Sequence, residues 1–339
     1  MMPIDLPSHP LSNQECTEEV EMRLSRGRHV SRLRVCPVAM VVAVLVLAAT
    51  WCLPAYAVEV RQALFPSAED GVQALITALK AGDVEAVLEV LGPEARPLIV
   101  SGDPVTDRRD GDRVVQAYEE AHTLVQSNDT KAVLQLGQDD WPFPIPLVKK
   151  GAAWRFDTRA GREELLNRRI GRNELAAIEV CRAYVDAQRE YYLRNPQGDA
   201  LLQYAQQFAS TPGKRDGLHW TTKDGEELSP LGPLVARARG EGYKKGQGGK
   251  PFPYNGYYYR ILKTQGPDAP GGAYDYVVRG SMIGGFALVA YPATWGNSGI
   301  MTFIVNHDGI VYHKDLGPTT ASVAREMRRF NPDSTWQRL

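Results

Sequence analysis

Three side chains in the C-terminal half are of the types a hydrolase uses. Gly296-Asn297-Ser298-Gly299 resembles the setting of a serine nucleophile, and Asp216-Gly217-Leu218-His219 holds a carboxylate and an imidazole three residues apart. Acyl transfer by serine needs a histidine base within hydrogen-bond reach and an acid to orient it. Asp216, His219 and Ser298 are therefore the candidate catalytic set. The competing reading of Gly296 to Gly299 is a tight turn between two strands. His122, the other histidine upstream of Ser298 in the body of the chain, has no local context of a catalytic base. A metal centre needs further ligands at fixed spacing. No H-x-x-x-H or C-x-x-C occurs, and His307 and His313 flank a turn, so no metal is expected. Gly248-Gly249-Lys250 lacks the spacing and the Ser/Thr of a phosphate loop, and there is no dinucleotide fingerprint, so no cofactor is expected either.

Two other clusters point to binding. Pro251 to Tyr259 is dense in aromatics, and Tyr254, Tyr257, Tyr258 and Tyr259 on an exposed surface would stack on a sugar or a partner protein. Alternating tyrosines are also what a small sheet packs with. Arg155 to Arg172 is rich in arginine, interleaved with acids at helical spacing, the pattern of a salt-bridged helix face. Within it Arg168 and Arg169, with Asn173 and Glu174, fall at a change of sequence character and are placed as a lock between two domains. The pair Asp139-Asp140 precedes Trp141 and a proline-rich stretch, and fits a loop capping a sheet edge better than acid/base chemistry.

The chain has 339 residues, 43% hydrophobic and 23% charged, with a net charge of −1. That balance excludes a disordered chain and removes any global electrostatic case for nucleic acid as a partner. Val38 to Leu53 is an uncharged apolar run of sixteen residues, preceded by Arg23, Arg26, Arg28, Arg32 and Arg34 and followed by Pro54-Ala55-Tyr56-Ala57. Basic flank, apolar run and A-x-A site make an export signal, with cleavage expected after Ala57. An uncleaved inner-membrane anchor through residues 38–53 is the rival reading, and either would place the body in the periplasm or outside the cell. Met22 is an alternative to Met1 as the start. Trp51 before Cys52 argues against lipid attachment. Cys16, Cys36 and Cys52 all lie in this leader, which leaves Cys181 alone and forbids an internal disulfide.

The remaining residues divide into 58–160 and 161–339. Ser67 and Asp83 cap two amphipathic helices with apolar stripes Val72, Leu75, Ile76, Leu79 and Val84, Val87, Leu88, Leu91. A third helix is expected from Asp110 to His122. Strand-like alternation follows at Ala132, Leu134 and Leu136, then a hairpin around Lys150-Gly151. This order resembles the cone-like folds of the nuclear-transport-factor-2 class. A helix of roughly 20 residues, about 30 Å, is expected near Asn173 to Tyr192, ending at Asn195-Pro196. Short helices are placed at Asp199 to Phe208 and after a Ser229 cap. The last ninety residues read as strands at Tyr257–Leu262, Tyr274–Arg279, Phe286–Tyr291, Met301–Val305 and Ile310–His313, with a turn at Asn306 to Gly309 and a helix from Thr319 to Arg329. The fold class is α+β, with a long helix on a small antiparallel sheet in the second part, a layout similar to pilin-like globular domains.

Asp140 to Tyr191 (DWPFPIPLVKKGAAWRFDTRAGREELLNRRIGRNELAAIEVCRAYVDAQREY), Ser210 to Trp220, Ser229 to Ala238, Gly256 to Leu262, Gln265 to Gly280 and Met282 to Gly317 resemble the hallmark stretches of a bacterial exported family known as domain of unknown function 2950. The resemblance spans nearly all of Val58 to Leu339. It implies an extracytoplasmic protein and brings no activity with it. The turn Asn195-Pro196-Gln197-Gly198-Asp199 departs from the family's acidic turn, and one carboxylate is too few for calcium. The sequence thus points away from an enzyme and toward an exported envelope protein that works by binding, its partner an envelope protein or glycan, or as an assembly component. Two alternatives make separate demands. An envelope hydrolase requires Ser298 and His219 in contact within a cleft. A small-ligand carrier requires an apolar cavity lined by residues 68–136.

Overall fold

The computed structural model describes residues 61–223, 225–244 and 252–339. The leader, its apolar run and the Ala57 site lie outside the described residues, as do residues 245–251 of the Gly/Lys-rich stretch. Residues 59–339 cluster as one unit with two separate hydrophobic cores, and the fold is α+β with antiparallel main sheets.

The first core lies between helices and a sheet. α1 (Ala68–Ala81) starts at Ser67, whose hydroxyl accepts the Asp70 N–H, and stops at Gly82 in the left-handed conformation. α2 (Val84–Leu91) is capped by the Asp83 carboxylate. A 3-10 turn (Pro93–Ala95) and the one-turn α3 (Arg96–Ile99) lead to α4 (Pro104–Glu120). α4 begins six residues before the expected Asp110. Asp103 caps it, and Pro104 sits in the first turn, where a missing N–H costs nothing. The sheet is β1 (His122–Asn128), β2 (Lys131–Leu136), β3 (Trp141–Pro142), β4 (Leu147–Lys150) and β5 (Ala153–Phe156), in the order β1-β2-β4-β5 with β3 on β2. β1 is an edge strand exposed along nearly its whole length, so it has no alternation to find. Val72, Leu75 and Ile76 of α1 and Val87, Leu88 and Leu91 of α2 bury themselves with Ala132, Leu134 and Leu136 of β2.

α5 (Thr158–Arg194) has 37 residues, about 55 Å at 1.5 Å per residue, and is nearly twice the expected length. Its C-terminal half is amphipathic: Ala177, Cys181, Tyr184, Val185 and Gln188 are buried, and burial pushes the Cys181 thiol up to about 12. Its N-terminal half is polar on most sides because it runs past the first core rather than over a sheet. Asn195, with φ +44, ends it as expected. Gly161 marks where this helix meets the chain before β4. A Cβ there would sit 2.4 Å from the Pro144 carbonyl oxygen and 2.8 Å from the Ile145 nitrogen, whereas one at Gly171 would meet nothing within 4 Å. Gly161→Ala should therefore cost about 2 kcal/mol, since backbone cannot yield to it. Gly171→Ala should stabilise by about 0.5–1 kcal/mol through helix propensity. Urea unfolding of the two variants checks the contrast, and equal effects would refute it.

The second core forms around β6 (Tyr257–Leu262), β11 (Ala287–Pro292), β12 (Met301–Asn306) and their neighbours. α6 (Gly232–Gly240) precedes β6. The short strands β7 (Thr264–Gln265), β8 (Tyr274–Asp275), β9 (Val277–Val278) and β10 (Ser281–Met282) lie between β6 and β11, and β13 (Val311–Asp315), α7 (Thr320–Glu326), β14 (Arg329–Phe330) and β15 (Gln337–Arg338) follow β12. The main sheet runs β15-β13-β12-β11-β6, wholly antiparallel, with α5 packed on β11 and β12. Three local expectations are corrected. Asp199 to Phe208 is not a helix: the Gln188 side chain takes both the N–H and the carbonyl of Ala205, and Tyr204 donates to the Met282 carbonyl. Those tertiary bonds replace the helical ones. Ser229 does not cap α6, because its hydroxyl is engaged by His219. The last helix spans only Thr320–Glu326, since Arg329 and Phe330 pair in parallel with β7.

Candidate functional site

Asp216, His219 and Ser298 do not meet. Ser298 is fully buried, its hydroxyl accepting the Thr294 N–H at 2.9 Å and donating to the Thr294 carbonyl at 3.2 Å. Asp216 accepts the Thr211 N–H and hydroxyl, each at 2.8 Å. His219 Nδ1 lies 3.0 Å from the Ser229 hydroxyl. Gly296 to Gly299 is a turn whose serine holds the turn together, and the serine-hydrolase arrangement is not formed. Among the described residues no group of three or more His, Cys, Asp or Glu side chains is placed to hold a metal ion.

His219 has a consequence for stability. Partial burial, and then the charge of Arg239, lower its pKa below the ordinary 6.5. The folded state thus binds this proton less readily than the unfolded chain does. The contribution is complete above about pH 6.5, the unfolded value, and is lost as pH falls below it toward the folded value. His219→Gln should flatten the fall of the urea midpoint below pH 6.5, and an unchanged slope would count against this origin.

The tyrosines are not an exposed patch. Tyr257 is fully buried and donates to the Met301 carbonyl at 2.9 Å. Tyr254, Tyr258 and Tyr259 are half-buried. Tyr258 packs on Tyr291 with ring centres 5.6 Å apart, Tyr259 donates to the Tyr254 carbonyl, and Tyr254 packs edge-on against Tyr243. Tyr257, Tyr258 and Tyr259 serve the second core, as strand tyrosines on a small sheet do.

The arginine cluster behaves differently for its two members. Arg168 pairs with Glu164 one turn back and lies over the Trp141 ring at 5.2 Å, beside the first core. Arg169 is 6% exposed. It donates to the Pro97 carbonyl at 2.9 Å, to the Leu98 carbonyl, and to Asn297 Oδ1 at 2.7 Å. Asn297 returns a bond to the Val100 carbonyl at 3.1 Å, Asn173 donates to the Ser298 carbonyl at 2.9 Å, and Glu174 accepts the Ile300 and Met301 N–H groups. One stretch of α5 thus stitches α3 and the residue after it to the turn before β12.

A second junction was not anticipated. Asp103 is completely buried. Its Oδ1 accepts the Val105 and Thr106 N–H groups, and its Oδ2 accepts the Tyr243 hydroxyl at 2.7 Å, the Gly256 N–H at 2.9 Å and the Thr106 hydroxyl at 3.1 Å. Gly256, at φ +74, turns its N–H to that oxygen. Beside it Arg109 pairs with Glu241 at 3.2 Å and donates to Asn255. The Asp103-Pro104 dipeptide was the available signal, since an acid before proline is a helix start.

Between α1, α2, α4 and the first sheet lies a cavity of about 1100 Å³. Leu75, Leu79, Val87, Leu91, Val114, Leu136, Trp141 and Phe143 form its apolar lining, and past residue 136 the wall also takes in Leu165 and the charged Arg168, Arg169 and Arg172 of α5. Asp107, Asp110 and Arg113 of α4 face the same space. Asp139, one of the paired carboxylates before Trp141, also lines it. The side chains supply a large apolar volume with charge gathered along α4 and α5, an arrangement suited to holding a small molecule.

No helix among the described residues is long and apolar enough to cross a membrane. No curated protein and no solved structure matches the chain. The family model described as "Protein of unknown function (DUF2950)" matches residues 62–339, the span that carries both cores, both junctions and the cavity, and the chain belongs to that family.

Proposed function

We propose that this is an exported binding protein whose N-terminal cavity holds a small ligand with an apolar body. The observation that carries the reading is the cavity itself. Its volume of about 1100 Å³ lies just above the roughly 300–1,000 Å³ of small-molecule sites, room enough for a ligand of that class. Its apolar lining comes from three helices and a sheet whose other apolar side chains are buried together in the first core. The half-buried tyrosines and the separation of Ser298 from His219 give less support to a tyrosine-based docking surface or a hydrolase. Export rests on the apolar run Val38 to Leu53, its arginine flank and Ala55-Tyr56-Ala57. A mature N-terminus at Val58 by mass spectrometry is the expected result, and retention of the leader would favour an anchor.

The binding test uses the full chain and the neutral fluorophore N-phenyl-1-naphthylamine. Saturable fluorescence enhancement is expected. Val114→Trp and Leu79→Trp, which push an indole into the cavity from two different helices, should each weaken it at least tenfold while circular dichroism stays unchanged. A wild-type chain that does not bind the fluorophore, or folded variants that bind it equally well, would sink the reading.

A further inference from the structure

We infer that β1 is a self-pairing edge, through which two copies of this chain join their first sheets antiparallel about a two-fold axis at Leu124. The two edges of that sheet differ. At β5, Phe65 exchanges both backbone bonds with Trp154, each at 2.8 Å, and so covers the edge there. At β1, residues His122–Asn128 are exposed except for Leu124, which is half-buried against the first core. Sheet edges are ordinarily guarded against pairing by charge or proline. His122–Asn128 (HTLVQSN) carries no Asp, Glu, Lys, Arg or Pro. None of its residues lines the cavity, so the edge is independent of ligand binding.

The register with β2 fixes which backbone groups point outward. The Gly137 N–H bonds the Ala121 carbonyl at 2.8 Å, and His122 stands opposite Leu136. Opposed residues of an antiparallel pair alternate between bonded and non-bonded. Thr123 and Val125 therefore turn their N–H and C=O groups to β2, and His122, Leu124 and Gln126 turn theirs away from it. The far side of β2 agrees: the carbonyl of Leu134, which stands opposite Leu124, accepts from Phe143 at 2.7 Å. Beyond Gln126 the register is broken by a bulge. One self-pairing uses all three outward residues. It sets Leu124 on Leu124 of the second copy and His122 on Gln126, each pair exchanging both of its backbone bonds. Thr123 then faces Val125 on the other side of the sheet, two β-branched side chains suited to a strand pair. Because the strand is uncharged, no like charges meet, and each residue finds the same partner from either copy, as a two-fold interface requires.

Sedimentation equilibrium of the full chain tests this. A reversible monomer–dimer exchange is expected, with a Kd of roughly 1–100 μM, as suits a small interface. Thr123→Lys/Val125→Lys and Thr123→Glu/Val125→Glu change exposed side chains and set like charges opposite each other across the axis. Each should weaken the dimer at least tenfold with circular dichroism unchanged. An equimolar mixture of the two should associate at least tenfold more tightly than either alone. Gln126→Pro, which deletes an outward N–H and no bond to β2, should weaken the dimer as strongly. A wild-type chain that stays monomeric at about 100 μM would overturn self-pairing, and capture of a different protein by this edge would do so too. A dimer untouched by Gln126→Pro, or one that the charged variants form as the wild type does, would place the contact elsewhere. Weakening in both charged variants without recovery in the mixture would overturn the register.

Discussion

Asp103→Ala is expected to lower the unfolding free energy by about 4 kcal/mol, and Asp103→Asn by about 2 kcal/mol. The two numbers differ because the two oxygens have different work. Oδ1 caps α4, a role asparagine performs as well as aspartate. Oδ2 gathers the Tyr243 hydroxyl, the Gly256 N–H and the Thr106 hydroxyl. An amide NH₂ in that place turns a donor toward Gly256, which has only a donor to offer, whereas the hydroxyls of Tyr243 and Thr106 are free to reverse. Alanine removes the cap as well and leaves buried donors unsatisfied, each worth about 1–3 kcal/mol. Urea unfolding followed by tryptophan fluorescence measures both variants. Equal losses for Asn and Ala would show that the capping half of the carboxylate contributes nothing, and a loss below 1 kcal/mol for Ala would show that the junction is not where stability resides.

The regular elements were legible because each had a local cause. Ser67 and Asp83 announced α1 and α2, the alternation of Ala132, Leu134 and Leu136 announced β2, and Asn306 to Gly309 announced the turn between β12 and β13. Errors arose where tertiary partners decided the outcome. The backbone of Ala205 is held by Gln188, a residue seventeen positions away, and so does not coil into a helix. β1 has no buried face and leaves no periodic trace. The first half of α5 reads as a charged helix face and carries no apolar stripe to extend the expected helix, because much of what it touches, at Pro97, Leu98 and Pro144, is backbone. The site followed the same rule. Arg169 was found because arginine beside a change of sequence character is a plausible joint, but its neighbour Arg168 could not be told apart from it. On a helix the two project about 100° apart, and only the packing decides which one turns inward. An apolar space lined by residues 68–136 is what the carrier alternative alone requires, and the cavity reaches beyond it to α5. Its charged wall, built by α4 and α5 together, required knowing that these helices face each other.

The same geometry makes Arg169 the other position of large effect. Arg169→Ala should cost about 3–5 kcal/mol, because it removes the buried donor that satisfies the buried Leu98 carbonyl, the half-buried Pro97 carbonyl and the Asn297 amide oxygen. Asn297→Ala should cost less, about 1–2 kcal/mol, since it breaks the bond from Arg169 and the bond to Val100 but leaves Asn173 and Glu174 holding the turn. The two residues share a bond, so their losses should not add: a double-mutant cycle is expected to give a coupling of about 1 kcal/mol or more. Arg169→Lys tests the geometry rather than the charge. A lysine ammonium lacks the planar fork that spans Pro97, Leu98 and Asn297 at once, so the conservative variant should recover less than half of the loss. Full recovery by lysine would mean that a positive charge alone suffices there, and a cycle with additive losses would mean that α5 and the turn before β12 are held together by Asn173 and Glu174 without it.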